Sequence, residues 1–202
     1  MAKHSNNMAI PVEVQRLRLC SSLQGCGGNV TLCLKESDAP LISIYDDETL
    51  GFSDWEVGNN GCPKSFLAHN NAGKNIVLLP LDNKIITGPK IKQGGVADCA
   101  VLTLSDMSFI EFKTNVTSNS EENINSKIED AIGQLWHTYD GILKHRCAKN
   151  NVIIPELVNV DFFIIFNKDL DVTGTMASRL NHQTEFMNNY GFPLYFDNEK
   201  EF

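Results

Sequence analysis

Two apolar runs near the middle of the chain each hold a charge that a buried strand should not tolerate. Residues 95–104 read Gly-Val-Ala-Asp-Cys-Ala-Val-Leu-Thr-Leu, and residues 109–115 read Phe-Ile-Glu-Phe-Lys-Thr-Asn. Their composition is that of buried strands, and the short polar turn between them leaves room only for an antiparallel hairpin. Charges in such strands are costly unless they pair, bind a metal or take part in chemistry.

Side chains alternate along a strand, so Glu111 and Lys113 share a face with Phe109. Asp98 shares its face with Val96, Ala100 and Leu102. With Ser105-Asp106 as a two-residue turn, Leu104 pairs with Met107 and Asp98 falls opposite Lys113, with Glu111 as its diagonal neighbour. A slip of two residues keeps the three charges on one face, whereas a slip of one separates them. Neighbours across a ladder lie about 4.5–5.5 Å apart, so the three head groups can converge.

The flanking sequence places this hairpin in an α/β setting. Residues 75–81 read as a strand weakened by Pro80. Residues 123–146 have helical spacing, with Ile124, Ile128, Ala131, Leu135, Ile142 and Leu143 largely on one face. Residues 160–166 are a nearly continuous apolar run, as in a central strand. Residues 175–190 read as a helix and 192–196 as a last short strand. Upstream the pattern is weaker. Residues 9–24 fit a helix or a strand. Residues 29–35 and 41–45 read as short strands able to form an edge hairpin, Asp46-Asp47-Glu48 as a solvated turn, and Pro63 as the start of a short helix through Ala68.

The 202 residues, 42% hydrophobic and 21% charged, suffice for one sizeable core. No apolar run approaches the ~20 residues that span a bilayer. Residues 1–7 lack the apolar centre of a signal peptide, so a cytoplasmic protein without membrane association is expected. Six cysteines are present and none form a C-x-x-C pair. Cys20, Cys26, Cys33 and Cys62 are too irregularly spaced for a favoured zinc site, and reduced, mostly buried thiols are expected. The net charge of −8 opposes strong non-specific binding of nucleic acid by the isolated chain. Basic residues available for phosphate contacts are Lys84, Lys90 and Lys92 before the hairpin and Lys144, Arg146 and Lys149 on the long helix.

Two close carboxylates resist joint ionisation, and a divalent cation between them removes that penalty while gaining hard oxygen ligands. The main-chain carbonyl of Phe112 offers a further ligand. Lys113 is placed to orient or deprotonate a water, or to stabilise charge in a transition state. The bland alternative is a solvated sheet face carrying an ion pair.

Asp98 followed by Glu111-Phe112-Lys113, flanked by apolar strands and followed by a helix, resembles the PD-(D/E)XK nuclease superfamily. The resemblance covers residues 62–168 as an order of elements. It implies a restriction-endonuclease-like αβββαβ core over residues 62–202, with a mixed central sheet flanked by helices. Residues 1–61 would be a strand-rich N-terminal extension packed on that core. It further implies Mg²⁺- or Mn²⁺-dependent hydrolysis of phosphodiester bonds, DNA favoured, with Asp98, Glu111 and the Phe112 carbonyl as metal ligands and Lys113 acting on the water. Gln134 matches a glutamine that many members carry on the helix after the third strand. Ala97 stands where the family pattern has proline. In one branch a tyrosine follows that glutamine by four positions; here Tyr139 follows by five and Thr138 holds the matching place. Glu48 and Glu56 are candidates for the acidic residue that members often carry on a first helix, and His137 for a phosphate contact. Small size and acidic charge suggest a homodimer or a partner protein such as an ATPase or sensor. Chains of this type resemble effectors of bacterial antiviral defence or mobile elements. A catalytically silent nuclease-fold subunit is the rival expectation, and an unrelated α/β binding protein the next.

Overall fold

The N-terminal part of the chain is more helical than its β-branched residues suggest. The structure, a computed structural model, describes residues 9–170 and 175–202. Residues 9–24, open between helix and strand from sequence, form α1 (Val12–Arg16) and α2 (Leu19–Ser22). Residues 29–35, expected as a strand, instead form α3 (Val30–Cys33). The Asn29 side chain accepts from the Thr31 N–H at 3.0 Å and starts that helix as an N-cap, outweighing the strand preference of Val30 and Thr31.

Seven strands follow. They are β1 (Lys35–Ser37), β2 (Leu41–Asp47), β3 (Phe52–Val57), β4 (Phe66–His69), β5 (Ile76–Pro80), β6 (Cys99–Leu102) and β7 (Asp106–Lys113). The expected edge hairpin between residues 29–35 and 41–45 does not form, because β1 pairs with β5 while β2 pairs with β3 and β4. The helix expected from Pro63 through Ala68 is also absent. Phe66–His69 is held as β4 between β2 and the C-terminal strand. Asp46 and Asp47, read as a turn, are the last residues of β2.

A long helix then begins as α4 (Glu121–Trp136), runs through a π-helical stretch at His137–Lys144 and ends as α5 (His145–Lys149). The Ser120 side chain caps it, and Glu121 and Glu122 complement its dipole. Ile124, Ile128, Ala131 and Leu135 form its buried stripe. After α6 (Ile154–Leu157) come β8 (Asn159–Phe166), α7 (Met176–Tyr190), β9 (Leu194–Tyr195) and β10 (Glu199–Glu201). β10 was not expected, since Glu-Lys-Glu has no apolar alternation. It lies at a sheet edge, where charge is common.

The result is mixed α/β. The larger sheet has the order β1-β5-β6-β7-β8-β9, antiparallel as far as β7 and parallel from β7 to β9. The smaller sheet has the order β10-β4-β2-β3. Residues 35–57 are therefore hydrogen-bonded into both sheets alongside strands from beyond residue 62.

Alternation along β7 and β8 gives the larger sheet two buried faces. Phe109, Phe162 and Ile164 point into a core shared with the helices, and Ile110, Phe112, Phe163 and Ile165 into one shared with the smaller sheet. The molecule is thus layered helix, sheet, sheet. Pro80 fits within β5 because β1 ends opposite Leu78, leaving no ladder partner for its missing N–H. Among the described residues no helix is long and apolar enough to cross a membrane.

Candidate active site

The hairpin turn sets which charges meet. Leu102 pairs with Met107, Val101 with Ser108, Ala100 with Phe109 and Cys99 with Ile110. The turn is Leu104-Ser105, closed by the Thr103 N–H donating to the Asp106 carbonyl at 2.9 Å. The Thr103 hydroxyl accepts from the Asp106 N–H at 3.0 Å and fixes that choice. The expected pairing of Leu104 with Met107 is therefore displaced by two residues. Parity is unchanged, so the same side chains share a face, but Asp98 now faces Glu111 and Lys113 is the diagonal neighbour.

The structure brings Asp98, Glu111, Lys113 and Gln134 together. Lys113 Nζ donates to Glu111 Oε1 at 2.7 Å and to Gln134 Oε1 at 2.6 Å. Asp98 Oδ2 accepts the Phe112 N–H at 2.6 Å, and Glu111 Oε2 accepts the Asp98 N–H at 3.3 Å. These bonds stand where β6 has left the ladder. The Phe112 N–H and C=O point toward β6, and continuing the register would give them Ala97 as partner. The Ala97 N–H instead donates to the Thr138 hydroxyl at 2.7 Å. The Phe112 carbonyl therefore does not receive the Ala97 N–H that continuation of the ladder would give it.

Glu111 is 2% exposed. Burial pushes its carboxyl up to about 7, against the opposing charge and hydrogen bond of Lys113 and the Asp98 N–H. Asp98 keeps some surface open to solvent, yet desolvation lifts its carboxyl well above the usual range. The charge of Glu111 adds to that rise, while the Phe112 N–H and Lys113 oppose it. Asp46 also raises Asp98, and Asp82 raises Glu111. Two neighbouring carboxyls forced toward the neutral form are what a divalent cation would relieve. Among the described residues no three His, Cys, Asp or Glu side chains gather closely enough to hold a metal by themselves. The carboxylate pair would need the Phe112 carbonyl and water to complete a shell, which suits Mg²⁺. All six cysteines are free thiols.

The loop that delivers Asp98 lies tight against the long helix. Gly94 and Gly95 have φ of +115° and +84°. A Cβ on Gly95 would lie 2.5 Å from Gln134 Cγ, and one on Gly94 would lie 3.1 Å from the His137 ring. His137 Nδ1 is 2.6 Å from the Gly95 carbonyl. That contact ties one ring nitrogen of His137 to the loop. Tyr139 is core, edge-on to Phe109 and Phe162.

Comparison with protein-family models, with curated proteins and with solved structures finds no match for this chain. The upstream acidic candidates do not join the site: Glu48 follows β2 and Glu56 lies in β3, both exposed. Asp46 and Asp82 are the carboxylates whose charge reaches it. Sequence reasoning passed over both, Asp46 because an acidic run looks like a solvated turn. It also passed over Thr138 as a contact of the loop, although its place in the glutamine–tyrosine spacing was noticed. Of the basic candidates, Lys92 pairs with Asp82 at 2.7 Å and Lys144 with Asp140 at 2.6 Å. Arg146 faces the Ser22 and Gln24 carbonyls, and Lys84 lies over the Phe52 ring. Lys90 and Lys149 remain exposed.

Proposed function

We propose that the chain is a metal-dependent nuclease of the PD-(D/E)XK kind that hydrolyses phosphodiester bonds in nucleic acid, with DNA as the favoured substrate. The observation that carries this reading is the carboxylate pair. Asp98 and Glu111 face each other across the hairpin, Lys113 is held between Glu111 and Gln134, and the Ala97 N–H goes to Thr138 instead of the Phe112 carbonyl. The order β5-β6-β7-α4-β8, antiparallel through β7 and then parallel, supports a restriction-endonuclease-like core.

Asp98, Glu111 and the Phe112 carbonyl would hold Mg²⁺ or Mn²⁺. When bound, such an ion stabilises charge on a phosphate and lowers the pKa of a coordinated water. Lys113 has three ammonium hydrogens, and two are spent on Glu111 and Gln134. The third is free to orient the attacking water or to meet the non-bridging oxygen on which charge develops. Gln134 holds that ammonium from the helix side, so its role is to aim Lys113. The net charge of −8 supports a reading in which a second copy or a partner protein finds the target, as for an effector subunit.

The test is cleavage of plasmid, single-stranded DNA and RNA with Mg²⁺, Mn²⁺ or chelator. Cleavage that needs the metal and is lost in Asp98→Ala and Lys113→Ala supports the proposal. Cleavage that persists in either variant refutes it.

A further inference from the structure

Where the β6–β7 ladder would continue through Ala97, the Ala97 N–H is bonded to the Thr138 hydroxyl instead. We propose that Thr138 is a positioning residue of this site, whose hydroxyl removes Ala97 from the β6–β7 ladder and so creates the third ligand position. This inference rests on the metal-site reading above.

The hydroxyl is fully buried and uses both of its capacities. It donates to the Gln134 carbonyl at 2.7 Å and accepts from the Ala97 N–H at 2.7 Å. One oxygen therefore ties the residue before Asp98 to the residue that grips Lys113. Without it, Ala97 and Phe112 are the next narrow pair of the ladder after Cys99–Ile110 and Val101–Ser108. The Ala97 N–H would close on the Phe112 carbonyl and occupy the position offered to the metal. The Phe112 N–H would be drawn away from Asp98 Oδ2, releasing that carboxyl.

The helix is built to bring Thr138 here. The π-helical stretch opens at His137, one residue before Thr138. A π turn widens the helix and breaks the ordinary i→i−4 pattern, and such turns concentrate at functional sites. The Thr138 hydroxyl bonds the Gln134 carbonyl at that opening. Gly94, Gly95 and the His137–Gly95 contact bring the loop close enough for the hydroxyl to reach Ala97. The spacing of five between Gln134 and Tyr139 then has a cause. The extra residue leaves Gln134 facing Lys113 and Tyr139 in the core, with Thr138 between them at the loop.

The experiment uses Mn²⁺ alone as probe, with the full chain and three variants. Thr138→Val keeps the volume and removes the hydroxyl, Thr138→Ser restores it, and Val158→Ala is a buried change between α6 and β8, remote from the site. Expected are an affinity loss of tenfold or more in Thr138→Val, near wild-type affinity in Thr138→Ser, and no change in Val158→Ala. Through-hydrogen-bond NMR coupling between the Ala97 nitrogen and the Phe112 carbonyl carbon should be absent in wild type and present in Thr138→Val. Two results overturn the proposal: that coupling in wild type, a measurement needing no variant, or equal Mn²⁺ affinity in wild type and Thr138→Val. Wild type that binds no Mn²⁺ instead refutes the metal site itself, and the positioning role with it.

Discussion

At neutral pH Glu111 stands between its two forms, and that makes the site sensitive to both protons and metal. Its carboxyl is raised from an ordinary 4.5 to about 7 by burial. Between those values the folded protein holds a proton that the unfolded chain has released, so rising pH removes stability across that window. Asp98 shifts in the same direction. For Glu111 the loss is on the order of 3 kcal/mol. Urea midpoints of the metal-free protein at pH 5 and pH 8 should differ in that sense, and Glu111→Gln should reduce the difference, the remainder belonging to Asp98. Metal binding runs the opposite way, because the ligands must be deprotonated. Mn²⁺ affinity should therefore rise from pH 6 to pH 8. Lys113 is the main counterweight to the burial of Glu111. In Lys113→Met the Glu111 carboxyl should climb above its wild-type value by carbon-13 NMR, and cleavage should fall by about 10²–10³.

The site depends at the level of elements on a loop and a hairpin that must fit a helix. Gly95→Ala forces a Cβ against Gln134 from a positive φ. It should cost about 1–3 kcal/mol in urea unfolding and weaken Mn²⁺ binding together. The hairpin and its charged face were legible in the sequence because period-2 alternation defines a face. The register was not, because a shift of two preserves that alternation. Only the Thr103 hydroxyl, accepting from Asp106, selects Leu104-Ser105 as the turn. Asn29 shows a similar limit. Its capping role decides helix over strand for Val30–Cys33, yet the same residues also suit a strand. The π stretch left one trace, the five-residue spacing from Gln134 to Tyr139. The contact that goes with it, Thr138 to Ala97, joins residues 41 apart and is invisible to local spacing. Asp46 reaches the site only because β2 belongs to a second sheet, a long-range fact that local pattern does not hold.

The two sheets are joined by a charge that local pattern also hid. Lys200 Nζ on β10 donates to Asp161 Oδ2 at 2.6 Å and to the Ser108 hydroxyl at 3.0 Å, across the face opposite the site. Asp161 Oδ1 has no partner among the described residues. Lys200→Met would strand the buried Asp161 carboxyl, and a loss of about 3–5 kcal/mol in urea unfolding is expected. Mn²⁺ affinity should not change, since the cluster lies on the other face and toward the other end of β7. Net charge of −8 and basic side chains already engaged elsewhere leave few phosphate contacts. Binding of DNA by the isolated chain should be weak, with a shallow salt dependence. The proposed activity turns on whether Asp98 and Glu111 hold a metal. Titration of the protein with Mn²⁺ at pH 7.5, followed by electron paramagnetic resonance, tests that directly. The account predicts a bound Mn²⁺ signal in wild type that is lost in Glu111→Ala. No bound signal in wild type, or one unchanged in Glu111→Ala, would contradict it.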